Sequence, residues 1–245
     1  MREQTDLEAI KKLAHTFLYL EPEPTKIPFL IKHPFTDSGF IPVNSPKSKL
    51  GIANIMDDES ALKMWRDMIS DMIKKAEKAD DISMLLTKSY RFAFLKHAMP
   101  YLSRKDFSEY LADAWVTCEA PNSDPNFTKK QLLGLFKKAD PQSLMTAEEY
   151  EQFQDLDETV TVYRGVTGYN AHRVKALSWT LDKDKAEWFA HRFGEDGTVY
   201  EAQISKEHIL AFFDSRNESE VIVDPGQLID ITEVQDIDSG FTMTM

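Results

Sequence analysis

The sequence predicts an α+β fold, with a helical first part and a sheet after it. Apolar residues recur every three or four positions through roughly the first 155 residues, the period of amphipathic helices. From about Thr159 the period becomes two, that of strands covered on one face. A single helical pattern interrupts those strands, so the chain lacks the alternation that builds a parallel βαβ sheet.

Taken in order, Leu7, Ile10, Leu13, Ala14, Phe17 and Leu18 form the stripe of a helix over 6–20, capped by Asp6 or Thr5 and ended by Pro22 and Pro24. Up to Gly51 the chain is proline-rich but too apolar for a free linker. The expectation is an extended wrapping segment packed by Phe29, Phe35 and Phe40. A helix over 58–78 follows, with Ala61, Met64, Trp65, Met68, Met72, Ile73 and Ala76 as its core stripe. Asp81 is expected to cap another helix running through His97 to Pro100, and Ser103-x-x-Asp106 opens the next. Residues 119–126 are dense in turn formers, and their Asn and Asp side chains either cap their own turns or touch a ligand. Thr128-x-x-Gln131 and Thr146-x-x-Glu149 are capping boxes for two further helices.

Strands are predicted at 159–164, 176–180, 198–204, 210–213, 220–223 and 228–234. The interrupting helix starts at Asp182, carries Ala186, Phe189, Ala190 and Phe193, and stops at Gly194. The expected organisation is therefore a helical region, 1–155, and a sheet core, 156–245.

At 245 residues, 42% apolar and 29% charged, the chain can bury an ample core. Its formal charge of −12 argues against non-specific attraction to nucleic acid, which rests on phosphate neutralisation. Lys175, Arg173, Arg192, Lys183 and Lys185 either form a local basic groove or are scattered over the surface. No apolar run is long enough for a membrane span and the first residues lack a secretory pattern, so a cytoplasmic protein with no membrane partner is expected. Cys118 is the only cysteine, and the six histidines, His191 and His208 among them, show no ligand spacing, so no metal is expected. No glycine-rich phosphate fingerprint is present.

The chemistry-bearing pattern lies in three strand-associated pieces. Val160-Thr161-Val162-Tyr163-Arg164-Gly165 ends in an arginine before a glycine. Ala176-Leu177-Ser178-Trp179-Thr180 carries two hydroxyls on one face. Glu218-Ser219-Glu220 enters the run Val221-Ile222-Val223-Asp224-Pro225, where the period of two puts both carboxylates on one face. Like charges side by side cost stability, which a fold tolerates where the pair does chemistry; the alternative is a solvated acidic loop.

In that order, an arginine, Ser-x-Thr and Glu-x-Glu, the pieces resemble the R-S-E class of mono-ADP-ribosyltransferases over residues 156–235. The resemblance implies an ADP-ribosyltransferase-like split β-sheet core and NAD as the substrate. A macromolecular acceptor, a protein arginine or a nucleobase of RNA or DNA, completes the reaction. The setting it suggests is a phage or bacterial effector or toxin. It implies Glu220 as the catalytic carboxylate on the ribose, Ser178 as its orienting hydroxyl, and Thr180 in the same network. Arg164 and Gly165 would bind NAD, by a guanidinium on phosphate and by exposed backbone on the carboxamide. Phe189 either stacks on nicotinamide or belongs to the helix core. Glu218 would serve the acceptor, recognised by the loop Asp214, Ser215, Arg216 and Asn217. The rival expectations are an NAD glycohydrolase and a non-catalytic binding module of the same fold.

Overall fold

The computed structural model describes residues 2–42, 51–170, 174–194 and 196–234. The chain is α+β and divides into two compact units, Met1–Pro121 and Asn122–Met245. The expected boundary at 155 is thus too late, because three helices that precede it pack with the sheet.

The first unit opens with α1 (Leu7–Leu18), whose first turn is capped by the Asp6 carboxylate accepting from Ala9 N at 3.1 Å. The proline-rich stretch that follows is not merely extended. It forms a small antiparallel sheet of β1 (Glu23–Pro24), β2 (Leu30–His33) and β3 (Thr36–Ser38), then a pair, β4 (Phe40–Pro42) and β5 (Ile52–Asn54). Of its aromatics only Phe35 is buried; Phe29 and Phe40 are exposed, contrary to expectation. Strands this short leave their outward positions in solvent and bury only the alternate residues, Ile31 and His33 on β2 and Ile41 on β4.

The helix α2 (Glu59–Lys75) is capped by Asp58, as its sequence indicates. Its buried face is Ala61, Trp65, Ile69 and Ile73, while Met64, Met68 and Met72 are 44, 51 and 45% exposed. The expected stripe was too broad: these methionines, four apart, line a neighbouring face of the helix.

The expected single helix from Asp81 to Pro100 is two, α3 (Ala79–Ser83) and α4 (Arg91–Ala98). Between them Thr87 turns away, donating its N–H to Pro34 O at 2.8 Å and its hydroxyl to His33 O at 3.2 Å. Asp81 is not the cap but lies in the first turn, accepting from the backbones of Glu77 and Lys78. The next helix, α5 (Arg104–Thr117), starts at Ser103 as expected, and Trp115 on it is fully buried.

The second unit begins with α6 (Lys129–Lys138), α7 (Pro141–Leu144) and α8 (Ala147–Gln154); the boxes at Thr128 and Thr146 both form. All six expected strands are present: β6 (Thr159–Val166), β7 (Ser178–Thr180), β8 (Thr198–Ser205), β9 (Ile209–Phe213), β10 (Glu220–Val223) and β11 (Ile229–Glu233). The helix α9 (Lys183–His191) is capped by Asp182. The strands form one antiparallel sheet, ordered β11-β8-β6-β7-β10-β9.

Pairing within that sheet is uneven. Every residue of β6 pairs with β8, whereas β6 meets β7 at one pair only, Tyr163 with Thr180. The sheet therefore parts between β6 and β7, beyond Tyr163. On one side α9 lies directly on β6 and β8, with Ala186 and Ala190 wholly buried against Val199.

Candidate functional site

The parting between β6 and β7 brings three of the expected residues together. Arg164, in the last half of β6, donates from Nη1 to the backbone carbonyl of Ser178 on β7 at 2.5 Å. The Ser178 hydroxyl donates to Glu220 Oε1 at 2.5 Å, one step diagonally from the register partner of Glu220, Thr180. Glu220 is 6% exposed, so its carboxylate is held in a poorly solvated place by a hydroxyl and by nearby positive charge. Burial pushes the Arg164 guanidinium down to about 10; Glu220 opposes that shift and the neighbouring Arg192 adds to it. It stays protonated throughout the physiological range. Its Nε is buried and has no hydrogen-bond partner among the described residues.

Glu218 reaches the same place by a different route from the one its spacing suggests. The strand begins at Glu220, and Ser219 sits at φ +43°, so the alternation of side chains does not extend back to Glu218. The two carboxylates nevertheless converge. Arg216 Nη2 lies 2.7 Å from Glu218 Oε2 and 3.9 Å from Glu220 Oε2, a cation placed between like charges. Thr180, which the sequence places beside Glu220, instead holds the backbone: its hydroxyl donates to Glu218 O at 2.7 Å and accepts from Asp182 N at 3.0 Å.

The loop before Glu220 is fixed by hydrogen bonds. Asp214 Oδ1 accepts from Ser219 N at 2.8 Å, and Asp214 O accepts from Asn217 N at 2.7 Å, with Asn217 at φ +53°. The loop is anchored from outside by Glu149 on α8, a residue the sequence reading assigned only to helix capping. Its Oε1 accepts from Asp214 N at 2.8 Å and Ser215 N at 3.2 Å, while Oε2 accepts from Thr146 N at 2.9 Å. Its carboxylate therefore serves α8 and the loop together. The one legible signal is that the box uses glutamate, whose second oxygen remains free to reach outward.

Gly165, half-buried, is covered by α9 on the side where a side chain would stand. A Cβ there would come within 2.0 Å of Ala186 O and 2.6 Å of Ala190 N, so the glycine exists to let α9 approach β6. Phe189 is half-buried on α9 near Gly165, edge-on to Trp188 and beneath the Arg192 guanidinium at 5.3 Å. It belongs to the α9 face and lies close to the arginines at the parting.

Of the basic residues for which a groove or a scattered surface was open, Lys183 pairs with Glu187 at 3.4 Å, and Arg173 lies outside the described residues. Lys175 lines a cleft of about 380 Å³ with Asn122, Asp124, Phe127 and Lys129. There Asn122 Oδ1 accepts from Leu177 N at 3.0 Å, and Asp124 caps Asn126 N at 2.8 Å, so both side chains serve the backbone. Among the described residues, no helix is long and apolar enough to cross a membrane.

Chemically, the parting offers a cationic donor, a hydroxyl-oriented buried carboxylate and a second carboxylate at the rim. That set suits stabilising a developing positive charge beside an anionic group. Comparison with known proteins found no matching family, no matching curated protein and no matching solved structure.

Proposed function

We propose that the chain is a mono-ADP-ribosyltransferase that cleaves NAD and passes ADP-ribose to a macromolecular acceptor, a protein arginine or a nucleobase. The observation that carries this reading is the linked set Arg164–Ser178–Glu220 where the sheet parts between β6 and β7. Cleaving the bond between nicotinamide and ribose passes through an oxocarbenium-like state. Glu220 faces that positive charge, and Ser178 holds one of its oxygens so that the other turns to the ribose. Arg164 stays protonated and receives a phosphate oxygen, a task that a planar fork of donors performs better than an ammonium. Glu218 aims the acceptor and takes its proton. Nicotinamide leaves with the bonding pair, the acceptor nitrogen closes on C1′, and the proton passes to solvent.

Labelled NAD, incubated with the protein and a cell lysate and followed by separation of protein from nucleic acid, tests this directly. Glu220→Gln should lower both nicotinamide release and label transfer by roughly 10²–10³. Glu218→Gln should lose most transfer yet keep measurable nicotinamide release, because water needs little aiming to trap the cation. Nicotinamide release without any macromolecular label, even in the wild type, would make the protein an NAD glycohydrolase. No release at all would leave a binding module.

A further inference from the structure

We propose that Arg216 is itself a modification site, and that the chain transfers ADP-ribose in cis onto this guanidinium. The inference rests on the reading above and goes beyond it. Arg216 Nη2 already occupies the position where an acceptor nitrogen is needed, 2.7 Å from the carboxylate assigned to aim it and 3.9 Å from the carboxylate assigned to the ribose.

Three features favour transfer over a mere counter-ion. First, the Arg216 side chain is 39% exposed while that of Glu220 is 8% exposed, so the guanidinium sits at the mouth and the ribose carboxylate behind it. Second, the side chain is not on a loose tether. Asp214 and Ser215 are bound through their N–H groups to Glu149, and Asn217 and Ser219 to Asp214, so the residues on both sides of Arg216 are fixed. A nucleophile held in place reacts as though at very high concentration, up to about 10⁵–10⁸ M in well-oriented intramolecular cases. Third, Arg164 is half-buried with Nη1 on Ser178 O and the Arg192 guanidinium lies over the Phe189 ring, whereas Arg216 is the guanidinium set against both carboxylates.

The step balances without a further reactant. The C1′–nitrogen bond to nicotinamide breaks and its electron pair leaves with nicotinamide. Arg216 Nη2 gives up a proton to Glu218, which passes it to water, and Nη2 bonds to C1′. The products are nicotinamide, one proton and a chain carrying one ADP-ribosyl group. The modified guanidinium keeps its charge but is too bulky to return to Glu218, so the reaction ends after one group per chain.

The purified full chain is incubated with NAD alone while nicotinamide release, intact mass and the modified residue by peptide fragmentation are followed. The expected result is one added ADP-ribosyl group, on Arg216, at a rate per chain that does not change on dilution. A tagged Glu220→Gln chain mixed with the wild type should stay unmodified. Nicotinamide release or lysate labelling with Arg216 unmodified would overturn the inference and leave the enzymatic reading standing. Modification of the tagged chain as fast as the wild type would overturn transfer in cis. Absence of nicotinamide release, with and without lysate, would sink both.

Discussion

Ser178 and Glu220 are joined by a 2.5 Å hydrogen bond between a strand hydroxyl and a carboxylate that is almost wholly out of water. The hydroxyl fixes one carboxylate oxygen without adding charge. Ser178→Ala should lower the rate of nicotinamide release by about 10- to 100-fold, the value of one hydrogen bond to a charged group. The loss should fall on kcat, with KM for NAD nearly unchanged, since the hydroxyl acts through Glu220. An equal change in both constants would make Ser178 a binding residue instead.

Arg164 gives a prediction in pH. Burial brings its guanidinium down to about 10, so below that value it stays charged and wild-type affinity for NAD should be flat from pH 6 to 9. A lysine in the same surroundings starts from an ordinary value near 10.4, and a comparable desolvation takes it to roughly 8. For a cation with a lowered pKa, charge is present below that pH and lost above it. Arg164→Lys should therefore bind NAD weakly at pH 7 and progressively more weakly as pH rises through about 8. Calorimetry across that range decides it; a flat profile in the variant would mean that the position is not buried as described.

Glu149 should matter to a reaction it does not touch. In Glu149→Gln one acceptor oxygen becomes a donor, which then faces either Thr146 N or the N–H groups of Asp214 and Ser215. A buried donor left without an acceptor costs about 1–3 kcal/mol, measurable by urea unfolding. Nicotinamide release should fall as well, because the loop carrying Arg216 and Glu218 loses its anchor. A variant as stable and as active as the wild type would refute the anchoring role.

Gly165→Ala tests the close approach of α9. The added methyl meets helix backbone rather than a side chain that could swing aside, so α9 must shift. Overpacking of this kind costs about 1–3 kcal/mol or more. The urea midpoint should fall with no change in the slope of the transition.

In α2 the two kinds of large residue should separate. Trp65→Ala should cost about 3–5 kcal/mol, as for a buried aromatic. Met68→Ala, half-exposed, should stay within about 0.5 kcal/mol. Comparable losses for both would restore the broad core stripe that the spacing suggested.

The elements of the second unit were legible because strong local signals agreed. Alternating β-branched residues, a capping Asp182 and two capping boxes each act within a few residues. The helix break at Thr87 was not legible, because its partners, His33 and Pro34, lie more than fifty residues away. At the candidate site, Arg164, Ser178 and Glu220, singled out on three strand-associated pieces, are brought together by the sheet. Glu218 converges with Glu220, but the alternation expected from spacing fails at Ser219, and the contact with Arg216 depends on two residues with positive φ that no spacing rule supplies. Glu149 was hidden because its capping role accounted for it fully. The packing role of Gly165 was not legible, because the helix backbone that meets it, at Ala186 and Ala190, comes later in the chain.

The single pair between Tyr163 and Thr180 makes the six-stranded sheet two laminae hinged along a seam. Mechanical compliance then concentrates along one line, while the β6–β8 ladder and the β10–β9 ladder on either side remain stiff. A guest lodged in the seam would be gripped by two jaws, its grip set by their angle as much as by any single contact. Amide hydrogen exchange would display this as slowing confined to the hinge residues when the guest binds, with the flanking ladders unmoved.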